Sequence, residues 1–184
     1  EDYRWKELRS TMSEARFQLM NFFFVAGIQN ALILGMTLPA WMATRHRGAP
    51  LGPIDFVATA LFLLLLAGET IADQQQWRFH LEKAKKKAAG GPLESEFLRT
   101  GLFRWSRHPN FFCEQAIWWT FYLFSIAAGG GALNVTIAGA IVLTALFQGS
   151  TNFTEKITLR KYPAYAEYQR TTSRLWPLPP RSAR

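Results

Sequence analysis

Apolar residues gather in four blocks separated by polar, largely basic stretches. The first runs from about residue 17 to 43 and contains MNFFFVAGIQNALILGMTLPAWMA. At about 1.5 Å per residue this is long enough to cross a hydrocarbon layer about 30 Å thick. Pro39 is expected to kink or end it, because proline removes an intrahelical hydrogen bond. The second block, 54–72, centres on LFLLLLAG and runs without a breaker into DQQQWRFHLEKAKKKAA. That continuity predicts one helix emerging from the membrane, stopped by Gly90-Gly91-Pro92. The third block, 111–128, is joined by Gly129-Gly130-Gly131 to the fourth, 132–153, the pattern of a tight membrane hairpin. The small residues between Gly139 and Thr144 suit close helix packing. The expected architecture is an all-α integral membrane bundle of about four transmembrane helices with interfacial helical segments. At 184 residues, one domain covers 1–184, with a connection at 73–110 and a tail at 154–184.

Charge gives these blocks a direction. Four Lys and Arg precede the first block, eight lie between residues 78 and 109 and seven in the tail, nineteen of the 21 in all. Only Arg45 and Arg47 remain for the opposite side. An even number of crossings puts the nineteen on one face, and the positive-inside rule makes that face cytoplasmic or matrix. A bacterial inner membrane, the endoplasmic reticulum and the mitochondrial inner membrane all fit. The net charge of +8 does not point to nucleic acid, because no long soluble segment exists to carry a binding face. Anionic lipid headgroups or a phosphate-bearing cofactor are better partners. Cys113 is the sole cysteine, so no internal disulfide forms. The first ten residues, EDYRWKELRS, lack the apolar core of a signal peptide and read as a cut or processed end.

Ionisable groups near membrane helices are costly unless paired or wet, so each is a candidate for function. Glu69 and Asp73 are four residues apart, and Gln76 and His80 continue their stripe. Asn110 and Glu114 have the same spacing at the start of the third block, with Trp118 a turn further on. Glu155 marks the corresponding end of the fourth, which predicts that three helices bring acidic groups to one depth. The alternative is that these residues cap helix ends or pair with nearby lysines. In the connection, Arg104, Arg107 and His108 can donate to phosphate oxygens, while Phe103 and Trp105 can stack on a ring. Such a mixture suits a nucleotide. Composition alone favours a basic loop that holds lipid headgroups. The KAKKK run, Lys83 to Lys87, reads as a solvated, headgroup-facing helix end. No metal site is expected, since His46, His80 and His108 lack a ligand spacing. Ser106 and His108 are too close in sequence to form a hydrolase dyad unaided.

The string GLFRWSRHPNFFCEQAIWW (Gly101 to Trp119), preceded by ETIADQQQWRF and followed by TNFTEKITLRKYPAYAEYQRTTSRLWP, resembles the C-terminal region of the steroid 5-alpha-reductase superfamily. It looks closest to a bacterial-type branch of unknown substrate, and the resemblance extends to EDYRW at the start. It implies an NADPH-binding membrane reductase that passes hydride to a carbon–carbon double bond conjugated to a carbonyl in a hydrophobic, lipid- or steroid-like substrate. Asp73 then matches a cofactor-contacting aspartate, on the stripe that also carries Glu69. Asn110 matches a nicotinamide-contacting asparagine and Glu114 its acidic neighbour. Arg104, Arg107 and His108 fall in the pocket-lining connection, and Tyr162 and Tyr165 in the tail that closes it. The pattern departs at Cys113, where a glycine is usual, a change expected to narrow the helix approach. The substrate-polarising glutamate and tyrosine of the family lie on upstream helices that this sequence does not include. Isoprenylcysteine carboxyl methyltransferases share an RHP motif and a Tyr-x-x-Tyr tail, which keeps S-adenosylmethionine as an alternative ligand. A third reading is a non-catalytic structural subunit packed against other membrane subunits.

Overall fold

The computed structural model describes residues 3–46, 48–93 and 95–182. Arg47, one of the two cations assigned to the far side, lies outside the described residues, as does Glu1. Among the described residues all regular structure is helical, with no strand. A short helix α1 (Tyr3–Ser10) precedes α2 (Glu14–Arg45), α3 (Pro53–Ala88), α4 (Pro109–Ser125), α5 (Ile137–Lys161) and a final short α6 (Tyr165–Thr171).

Two of these helices, α2 and α3, are long and apolar enough to cross a membrane. Large apolar side chains such as Phe22, Phe23, Leu63 and Leu64 stand exposed along them, which is how a face turned toward lipid reads. The other two expected spans correspond to α4 and α5. The former has only 17 residues. The latter begins at Ile137 rather than Ala132, and its last two turns carry Glu155, Lys156, Arg160 and Lys161.

Pro39 does not end the first block. It sits buried inside α2, which continues to Arg45. The stretch Asn21–Gln29 of the same helix is wound as a π-helix. The expected continuity of the second block is observed, since α3 is a single helix of 36 residues. Pro53 occupies its first turn, where its missing N–H costs nothing, and the Asp55 carboxylate accepts from the Gly52 N–H at 2.8 Å. Gly90, at φ +68°, ends it.

Helix α4 is the centre of the bundle. It packs most extensively on α3 and also against α2 and α5, burying Cys113, Ile117, Thr120 and Tyr122. The α2–α5 contact is a glycine crossing. A Cβ placed on Gly139 would meet the Gly35 carbonyl at 2.5 Å, so the two backbones touch. The α4–α5 turn uses Gly129 and Gly131 at positive φ, as the triple glycine predicts. Its polar groups are satisfied internally. Thr136 donates to the Ser125 hydroxyl at 3.0 Å and the Tyr122 hydroxyl donates to the Ala132 carbonyl at 2.9 Å.

That turn lies beside the end of α2, with the site of a Gly130 Cβ 3.2 Å from Met42. At the opposite end, Arg160 of α5 pairs with Glu7 of α1 at 2.6 Å, and Arg4 donates to Ser150 at 3.0 Å. The connection and the tail join them there. The Arg107 N–H donates to the Ser173 carbonyl at 2.8 Å, His108 N–H to Arg174 at 3.1 Å and Leu178 N–H to Trp105 at 3.0 Å. One end of the bundle therefore gathers α1, the connection and the tail, and with them most of the Lys and Arg residues.

Candidate functional site

Three groups of polar residues occupy this basic end. The first lies in the seam between α3 and α4. Asn110, in the first turn of α4, donates from Nδ2 to Asp73 Oδ1 at 2.9 Å. Glu69 and Glu114 interact electrostatically with each other and with Asp73. The seam is tight because Gly68 faces Cys113. A Cβ on Gly68 would stand 3.0 Å from the Cys113 sulfur. Cys113 is thus met by a residue with no side chain, which allows the close approach of the two helices.

The second group is internal. Glu155 is 6% exposed and receives Arg107 Nε at 2.7 Å on Oε1, Arg107 Nη2 at 3.0 Å and Gln169 Nε2 at 2.9 Å on Oε2. His108 Nε2 lies 3.0 Å from Oε1, and the Tyr165 hydroxyl donates to Oε1 at 3.4 Å. Burial works against the Glu155 carboxylate, but hydrogen bonds from His108, Arg107 and Gln169 and the Arg107 charge outweigh it and hold its pKa at about 2. Burial and the neighbouring carboxylate push the Tyr165 phenol well above its ordinary range. Arg107 also donates from Nη1 to the Gln169 carbonyl at 2.9 Å and to the Thr172 carbonyl. Its donors therefore face protein acceptors, and Arg107, His108 and Tyr165 act together as an internal clamp between connection, α5 and tail. Ser106 belongs to the same clamp. It is fully buried and donates to the Leu175 carbonyl at 2.8 Å, so no hydroxyl is aimed at an open site. Glu155 makes its hydrogen bonds within the clamp, whose His108 stands two residues before the Asn110 of the seam.

The third group forms an open cleft of about 530 Å³ between the outer part of α3 and the connection, where Leu93, Ser95 and residues 97–101 line it. Its walls carry Arg78, Lys83 and Arg99 alongside Phe79, Leu93 and Phe97. Two devices shape it. Gln75 Oε1 accepts the Leu102 N–H at 2.9 Å, directly over Gly101, whose φ of +61° and lack of a side chain allow the approach. Phe97 is locked by the tail, with the Tyr165 ring edge-on at 5.1 Å and the Tyr168 ring stacked at 5.5 Å. Tyr162 stands at the margin and accepts from Lys83 Nζ at 3.1 Å. Burial opposes ionisation of Tyr162, but Lys83 and Lys161 prevail and lower its pKa.

Of the residues selected from sequence, Asp73, Asn110, Glu114 and Glu69 share the seam, while Arg107, His108 and Tyr165 share the clamp. Arg104 is exposed and has no protein partner among the described residues. Gln75, Arg78 and Arg99, which line the cleft, were not selected. Gln75 and Arg78 stand in the polar run after Asp73, and the helical continuation of α3 was the available signal for them. Among the described residues no three His, Cys, Asp or Glu side chains are grouped to hold a metal.

Fold and site define an all-helical protein with two helices long and apolar enough to cross a membrane and with its polar chemistry gathered at one end. The chain belongs to the family described as "Protein of unknown function (DUF1295)", which matches residues 1–172. It is 38% identical over 190 residues to an uncharacterized protein of Schizosaccharomyces pombe, covering 96% of this chain and 55% of that protein. The chain thus spans about half the length of the curated relative it matches. No solved structure matches it.

Proposed function

We propose that the protein is an NADPH-dependent membrane reductase of the steroid 5-alpha-reductase type, acting on a carbon–carbon double bond conjugated to a carbonyl in a hydrophobic substrate. The observation that carries this reading is the Asn110–Asp73 hydrogen bond, which joins two helices with three carboxylates around a carboxamide. In this reading α2 to α5 all cross the membrane, and the basic end lies on the cytoplasmic or matrix side.

The residues fit the cofactor chemically. The Asn110 carbonyl oxygen has no donor among the described residues, so its amide can pair with a carboxamide while remaining tethered to Asp73. Asp73 is exposed and keeps Oδ2 for a hydroxyl. Arg104, exposed and unpartnered among the described residues, is open to a phosphate. When bound, NADPH supplies the hydride. Glu69, Asp73 and Glu114 would set negative charge beside a nicotinamide ring held at the seam. The clamp on Glu155 holds the connection against the tail and so fixes the wall of the site.

The test is a titration of the full chain in nanodiscs with NADPH, followed by fluorescence of the reduced nicotinamide. Saturable binding weakened about tenfold or more by Asn110→Ala is expected. Absence of binding, or identical binding by Asn110→Ala, would refute the reading. Retention of S-adenosylmethionine through purification would replace it with the methyltransferase.

A further inference from the structure

The open cleft shares no lining residue with the Asn110–Asp73 seam, and its chemistry is different. Arg78 on α3 and Arg99 on the connection reach it from opposite walls. Both are exposed, and neither makes a hydrogen bond, ion pair or ring contact among the described residues. Lys83 also lines the cleft and is held in place, with its ammonium on the Glu96 carbonyl and the Tyr162 hydroxyl. One carboxylate, Glu82, shares the lining. With Lys86, four lining cations stand against that one anion among the described residues and leave the cleft positive. Two unpartnered guanidiniums on facing walls present the paired donors that suit phosphate oxygens.

The remaining walls say what carries the phosphate. Phe79 and Phe97 line the same space, and Phe97 is fixed by tail tyrosines rather than free to fold away. At about 530 Å³ the cleft is far larger than a bare anion needs and falls in the range of sites for small organic ligands. We infer that this cleft is a binding site for a phosphate ester with an apolar or aromatic body, in which Arg78 and Arg99 clasp the phosphate and Phe79 and Phe97 cover the body. A lipid headgroup and a soluble nucleotide share this chemistry.

The experiment measures binding to the full chain in nanodiscs, with AMP and adenosine as the soluble pair and phosphatidic acid and diacylglycerol as the lipid pair. At least one phosphate ester is expected to bind, with its phosphate-free counterpart binding at least tenfold more weakly. Arg78→Ala and Arg99→Ala are each expected to weaken that binding about tenfold, the cost of about one charge-assisted hydrogen bond. Arg78→Lys should weaken it less than Arg78→Ala, since it keeps charge but loses the fork. Arg170→Ala, an exposed residue outside the cleft with the same change in charge, should leave it unchanged. Binding confined to AMP assigns a soluble ligand, and binding confined to phosphatidic acid assigns a lipid. Failure of both esters overturns the inference, as does an equal response of all three alanine variants. Asn110→Ala separates this site from the reductase reading, because it should leave phosphate-ester binding intact even where NADPH does not bind.

Discussion

Arg107 and Glu155 meet through two parallel hydrogen bonds, Nε to Oε1 at 2.7 Å and Nη2 to Oε2 at 3.0 Å, with both side chains nearly removed from solvent. Removing one member of such a pair strands the other, a loss of about 3 kcal/mol or more. Glu155→Gln should therefore lower thermal stability sharply, and Arg107→Lys should do so as well, because lysine cannot reproduce the fork. Because folding holds the Glu155 pKa at about 2, below its ordinary 4.5, its contribution is complete above about pH 5 and fades as pH falls toward 2. The shift corresponds to about 3 kcal/mol. Unfolding followed from pH 6 to 2 should show this loss in the native chain and a flatter profile in Glu155→Gln. Parallel profiles would contradict the clamp.

The glycine crossing between α2 and α5 predicts an asymmetry. A Cβ on Gly139 would fall 2.5 Å from backbone atoms of Gly35, which cannot rotate away, whereas a Cβ on Gly35 would meet Gly139 at an ordinary 3.4 Å. Gly139→Ala should thus destabilise by about 1–3 kcal/mol through forced helix separation. Gly35→Ala should be near neutral, because helix propensity gains up to about 1 kcal/mol from the same change. Melting of the two variants in one detergent checks this, and equal losses would refute the crossing.

How far the sequence carried this picture depends on the range of the signal. The uninterrupted course of α3 from Pro53 to Ala88 was legible, because apolar run, polar continuation and Gly90 are all local. So was the turn at Gly129 to Gly131. Of the two outcomes expected at Pro39, a kink or an end, the end is excluded, because α2 continues past it to Arg45. Asp73 and Asn110 were marked by spacing on separate helices, and the structure joins them by a hydrogen bond. The roles of Arg107 and Glu155 were not legible. Sequence places them 48 residues apart, and only the path of the tail turns both inward. Arg78 and Arg99 were hidden for the converse reason. Each looks like an ordinary surface cation until the fold sets them on facing walls.

The seam between α3 and α4 can be tested through Cys113. Gly68→Ala brings a methyl group to 3.0 Å from the cysteine sulfur, closer than ordinary contact. It should cost about 1–3 kcal/mol by overpacking. Cys113→Ala removes that sulfur and should recover most of the loss in the double variant, giving a coupling energy of about 1 kcal/mol or more. Additive losses in the double-mutant cycle would mean that the two residues do not meet.

The Asn110–Asp73 bond can be separated into its structural and chemical parts by exchanging the two side chains. Asn110→Asp alone sets a second carboxylate against Asp73, in a seam that already holds Glu69 and Glu114. It should destabilise the chain by about 1 kcal/mol or more, because a hydrogen bond is replaced by like-charge repulsion. Adding Asp73→Asn restores one amide donor and one carboxylate acceptor across the same gap and should return stability to within about 0.5 kcal/mol of the native chain. Cofactor binding should respond differently. If the Asn110 amide pairs with a nicotinamide carboxamide, the exchanged chain regains its fold but binds NADPH about tenfold or more weakly, since a carboxylate on the first turn of α4 accepts but cannot donate. Thermal unfolding and NADPH titration of the three chains side by side make the distinction. Recovery of both properties in the exchanged chain would show that the pair only fastens the helices, and recovery of neither would show that the hydrogen bond does not govern the seam.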